Sequence, residues 1–106
     1  MIRPAVQTLL RLGPFPSEQD DAVTAEDVGY YADLINTLKT PITNEEATQL
    51  VTLFGNDNFW GIAGSLRHVV ETAPDWPIWS CLTNVSNEWI QSLRQAAMNA
   101  GYHPED

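Results

Sequence analysis

Few side chains in this chain have the types and spacing that chemistry requires. Nucleophilic catalysis needs a base beside a nucleophile. The candidates are the single cysteine, Cys81, and two histidines, His68 and His103. No oxyanion motif accompanies Cys81, and the plain reading is a half-buried structural thiol. His68 and Glu71 lie three apart on a helical stretch, so they can touch. A metal site usually needs three or four ligands, and the further histidine of a helical dinuclear site is missing. A local hydrogen-bonded pair, with Thr72 beside it, is the simpler expectation. No P-loop, dinucleotide fingerprint, zinc spacing or EF-hand loop occurs. The expectation is therefore no enzyme, no catalytic residue, no metal and no cofactor.

The tryptophans are more informative. Trp60, Trp76, Trp79 and Trp89 all fall in the second half of the chain. Trp89 sits on an apolar stripe and reads as packing. Trp60 follows Phe59, and neighbours on a helix cannot share a direction, so one of the two is expected at the surface. Trp76 and Trp79 flank Pro77, either as a lid on the core or as aromatic anchors for a partner. Asp57, Glu71 and Asp75 lie close in sequence and would give such a patch an acidic rim.

The 106 residues carry 14 acidic and 5 basic side chains, for a formal charge of −9. That balance argues against nucleic acid, which needs a basic face, and against anionic membrane. A solvated acidic surface needs no partner. Electrostatic steering toward a basic partner is the other reading. One cysteine allows no internal disulfide, no signal-peptide pattern opens the chain, and no apolar run is long enough for a membrane span. A cytoplasmic protein is the expectation. Hydrophobic content of 43% fits a globular chain. At this size folding buries roughly two-thirds of the surface, enough for one core. A single domain over 1–106 follows.

Helical periodicity positions these residues. A first helix is expected from Ile2 to Leu12, ended by Gly13-Pro14-Phe15-Pro16, with Phe15 as an anchor. An acidic run follows, comprising Glu18, Asp20, Asp21, Glu26, Asp27 and Asp33, with no Lys or Arg between Arg11 and Lys39. Thr24 caps the second helix, with Asp27 as its capping-box partner. The early acids favour its positive end, and Lys39 its negative end. Thr43-Asn44-Glu45-Glu46 is a full capping box opening a third helix, which Gly55 is expected to stop. A fourth is expected from near Asp57 or Asn58. Gly61 and Gly64 would lie inside it and mark a close approach by another helix or ring. Pro74-Asp75-Trp76-Pro77 breaks it. A short turn over Ile78–Leu82 and a fifth helix capped by Asn84 or Ser86 complete the pattern, closed by Gly101. No strand pattern appears. The expectation is an all-α domain of about five helices in antiparallel pairs, as a compact bundle or a short HEAT-like stack.

The stretch Leu53-Phe54-Gly55-Asn56-Asp57-Asn58-Phe59-Trp60-Gly61-Ile62-Ala63, continued by Leu66, His68, Glu71-Thr72-Ala73-Pro74, Trp76-Pro77 and Ser86-Asn87-Glu88-Trp89-Ile90, resembles small acidic helical bacterial immunity proteins. These belong to polymorphic or contact-dependent toxin systems. The likeness spans roughly residues 40–95 and consists of packing and turn residues. It implies a cytoplasmic protein that binds and neutralises one cognate toxin domain, often a cationic nuclease. It carries no binding residue over position by position. From charge and aromatic content, the expected toxin-binding residues are Glu26, Asp27, Asp33, Asp57, Trp60, Glu71, Asp75, Trp76 and Trp79. The rival readings are a helical adaptor without inhibition and a small enzyme using His68, Glu71 and Cys81.

Overall fold

A computed structural model describes residues 2–55, 57–84 and 86–102. Five α-helices occur among them: α1 (Pro4–Leu12), α2 (Ala25–Asn36), α3 (Asn44–Leu50), α4 (Ile62–Val70) and α5 (Glu88–Asn99). No strand is present among the described residues. His103 lies outside them.

The helix starts follow from the sequence chemistry. Pro4 begins α1, where its missing N–H costs nothing. Thr24 Oγ1 accepts the Asp27 N–H at 3.1 Å, and Asp27 accepts the Thr24 N–H at 3.0 Å. Thr43 and Glu46 make the same reciprocal pair at 3.0 and 2.9 Å. Asn87, rather than Asn84 or Ser86, caps α5; its Oδ1 accepts the N–H groups of Trp89 and Ile90. At the other end, Tyr102 N–H donates to Ala97 O and Gly101 N–H to Met98 O, a Schellman closure around Gly101 at φ 99°. Lys39 falls beyond the end of α2, whose last turn has no basic residue.

α1 packs on α2 and α3, and α4 closes the ring by packing on both. Their shared core includes Val6, Leu9, Ile35, Leu50 and Leu66. Phe15, Tyr31 and Phe59 form a mutual aromatic cluster with centroids 5.1–5.3 Å apart. Thus the proline-flanked Phe15 does anchor its connector. α5 joins through Ile90 and Leu93, through Trp89 stacked on Phe54, and through Arg94 donating to Leu82 O.

The glycine expectation fails in an instructive way. Gly61 is not inside α4: it has φ 86°, ends a short 3₁₀ turn over Phe59–Gly61 and immediately precedes α4. A Cβ on Gly61 would meet nothing within 4 Å, and one on Gly64 only Asn58 Oδ1 at 4.0 Å. The close approach is at Gly55, where a Cβ would lie 2.7 Å from the carbonyl oxygen of Phe15. Gly55 therefore does not act as the stop of α3. That helix tightens into a 3₁₀ turn over Val51–Leu53 before reaching it.

Candidate protein-binding surface

The turn before α4 decides what reaches the surface. Phe59 and Trp60 have φ of 44° and 50°, and Gly61 follows at 86°. Bulky L-residues rarely adopt this left-handed region. Three contacts hold them there. Asp57 accepts Phe59 N–H at 3.1 Å and Glu18 N–H at 2.9 Å, and the Glu18 carboxylate accepts Trp60 N–H. Phe59 is wholly buried, whereas Trp60 is 53% exposed. The expected divergence of these neighbours is present, though a left-handed turn produces it rather than a helix.

Trp60 stands over the start of α2. With Val23, Thr24, Ala25 and Val28 it lines a hollow of about 410 Å³. Val23 also borders a smaller hollow of about 170 Å³, shared with Leu12, Pro16, Asp27, Tyr30 and Tyr31. Val23 lines both, so the two hollows adjoin, and together they are called the groove. Asp27 lines the smaller hollow, and Asp20, Asp21, Glu26 and Asp33, nearby in sequence, are likewise exposed. Arg11, the nearest basic residue in sequence, donates to Thr8 Oγ1 on its own helix.

The structure thus places Trp60 against the start of α2, where Glu26 and Asp27 occupy the first turn; Asp27 lines the adjoining smaller hollow, Glu26 lines neither, and Asp33 lies further along the same helix. The other expected contact residues are engaged within the fold. The Asp57 carboxyl is held below its ordinary range, chiefly by the Glu18 N–H, against some desolvation, with Phe59 N–H and Ser17 Oγ adding to the effect. Glu71 pairs with Arg67 at 3.6 Å, not with His68. Asp75 exchanges hydrogen bonds with the Asn44 side chain at 2.7 and 3.0 Å. Trp76 and Trp79 are half-buried against the core, and Arg94 lies 5.5 Å from the Trp79 ring centroid. This packing is what the lid reading of the two residues expects. Tyr30, Leu12 and Glu18 were not among the expected contacts. Tyr30 had a signal: it precedes Tyr31 on a helix, and a buried Tyr31 turns its neighbour outward.

The catalytic candidates do not converge on one hollow. His68 is exposed on α4. Thr72 Oγ1 donates to Val69 O and accepts Ile42 N–H, joining α4 to the approach to α3. Cys81 borders a separate hollow of about 400 Å³ whose other lining residues carry hydroxyls, amides or hydrocarbon, with no carboxylate or imidazole. Burial pushes its thiol up, and its Sγ–H donates to Ile78 O at 3.1 Å. A raised thiol is a poor nucleophile. No group of three or more His, Cys, Asp or Glu among the described residues is placed to hold a metal. No described helix is long and apolar enough to cross a membrane.

Comparison with family models, curated proteins and solved structures gives no match.

Proposed function

We propose that this protein is a non-catalytic, cytoplasmic immunity protein that binds and neutralises a cognate cationic bacterial toxin domain, of which nucleases are one class. One observation carries the binding part of this reading: Trp60 is left half exposed at an acidic apolar groove by a backbone conformation that bulky residues rarely adopt. Unusual backbone held by surrounding contacts is common at functional positions. Exposed tryptophan is a typical anchor of protein interfaces. The charge of −9 supports a basic partner, because opposite charge accelerates encounter. The neutralising role comes from the resemblance of residues 40–95 to immunity proteins.

The test has two stages. Immobilised protein is used to capture partners from lysate of its source cells at low and high salt. The captured domain is then expressed with and without this chain. The reading expects one basic domain whose expression arrests growth and whose toxicity this chain relieves. Capture of housekeeping subunits at either salt, with no toxicity, supports the adaptor instead.

A further inference from the structure

Leu12, Tyr30, Trp60 and Tyr102 are the large apolar side chains left exposed among the described residues. Trp60 borders the larger of the two adjoining hollows that make the groove at the start of α2, Leu12 and Tyr30 border the smaller, and Val23 lines both. We infer that this groove takes an arginine-bearing segment of a protein partner. The guanidinium lies on the Trp60 indole among the α2 carboxylates, and a neighbouring aliphatic side chain sits between Leu12 and Tyr30. The inference rests on the protein-binding reading above and names the chemistry of what is bound.

Charge selects a cation. Glu18 is at the foot of Trp60, and Glu26 and Asp27 stand on the first turn of α2. The helix N-terminus does not compete for an anion, because Thr24 and Asp27 already cap it. A phosphate surface meets carboxylates here, and so does a second copy of this chain. A basic protein segment is the occupant that complements both the charge and the apolar floor.

Arginine fits better than lysine. Its planar, weakly hydrated guanidinium stacks on aromatic faces, whereas ammonium keeps its water. The fold already makes this contact once, between Arg94 and Trp79 at 5.5 Å. Glu18 fixes the Trp60 backbone, so the ordering left for the moment of binding is that of its side chain alone. The hollow of about 170 Å³ beside Leu12 and Tyr30 supplies the apolar half of the site.

The isotope-labelled full chain is titrated with three blocked tripeptides: Arg-Ala-Leu, the same peptide with citrulline for arginine, and Arg-Ala-Ser. Citrulline keeps the shape and removes the charge. Arg-Ala-Leu is expected to give saturable shifts at the Trp60 indole N–H and at the amides of Val23, Val28 and Tyr30. Citrulline and serine each weaken binding roughly tenfold. Trp60→Gly, which glycine's freedom at positive φ permits, abolishes the shifts while the rest of the spectrum stays native. Equal binding of the citrulline peptide, shifts centred on Trp76 and Trp79, or no saturable shift overturns the inference. Its failure is separable from that of the neutralising role. A toxin relieved equally by the Trp60→Gly protein leaves neutralisation standing and removes the groove. A groove that binds the peptide in a protein relieving no toxin does the reverse.

Discussion

The carboxylate of Glu18 accepts the backbone N–H of Trp60, 42 residues further along the chain. Asp57 answers in the opposite direction by accepting the N–H of Glu18. The connector after α1 and the turn before α4 are therefore stitched twice, and the stitch keeps Trp60 in a left-handed conformation. An L-residue there carries strain of about 1–2 kcal/mol. Trp60→Gly is expected to leave stability unchanged or to raise it by up to about 1 kcal/mol, after the lost packing of the half-buried ring. A buried tryptophan so truncated would cost about 3–5 kcal/mol. Urea denaturation decides between these values.

Two glycines give a matched pair. At Gly55 an added Cβ meets the Phe15 carbonyl oxygen at 2.7 Å, and Phe15 N–H is itself bonded to Leu53 O at 2.9 Å. Neither backbone yields easily, so Gly55→Ala should cost about 1–3 kcal/mol. At Gly64 the space is open within α4, and Gly64→Ala should stabilise by about 0.5–1 kcal/mol. Thermal melts of the two variants should move in opposite directions.

That contrast shows what the sequence made legible. Capping boxes are local, so Thr24 with Asp27 and Thr43 with Glu46 could be read directly, as could the core stripes and the all-α class. Adjacent aromatics announced that Phe59 and Trp60 part. What escaped reading depends on distant partners. Nothing near Gly61 in sequence shows that Asp57 and Glu18 hold the turn left-handed. Nothing near Gly55 shows Phe15 lying against it. Of the expected contact residues, Trp60 lies against the start of α2 and Asp27 lines the adjoining hollow, while Asp57, Glu71 and Asp75 have partners within the fold, found only once the chain is closed.

Acid should loosen the fold through two carboxylates. Burial pushes the Glu46 carboxyl up, but the N–H groups of Thr43 and Arg3, and the Arg3 side chain and charge, outweigh it and hold it below its ordinary value of 4.5. Asp57 is likewise held below 3.8. For a lowered carboxyl, the folded state binds its proton less readily than the unfolded state. The stabilisation is complete above the ordinary value and is lost as pH falls through the folded one. Stability should therefore decline from about pH 4.5 downward, and Glu46→Gln should flatten that decline in denaturation measured across the acid range.

Arg3 anchors the start of the chain. Its Nε and Nη2 donate to the fully buried Glu46 at 2.8 and 3.0 Å, its N–H to the same carboxylate at 3.1 Å, and its Nη1 to Lys39 O at 2.7 Å. Arg3→Ala leaves a buried carboxylate short of its cation. The part-exposed arginine moderates the cost to about 2–3 kcal/mol, below that of a fully enclosed pair. The melting temperature should fall by roughly 10 °C or more.

Cys81 offers a chemical check on the catalytic alternative. Its thiol is raised by burial and donates to Ile78 O. Reaction with a disulfide reagent at neutral pH should be slower than that of free glutathione and should accelerate on unfolding. A rate above glutathione's would restore Cys81 as a nucleophile.

The adjacency of Phe59 and Trp60 divides the labour of the chain at a single peptide bond. The first ring is locked among Phe15 and Tyr31, and the second projects over α2. The exposed Trp60, Tyr30 and Glu26 can thus be exchanged for other side chains without rebuilding the interior. A lineage descended from this chain is free to change its partner by altering surface letters alone, while the scaffold that displays them stays the same.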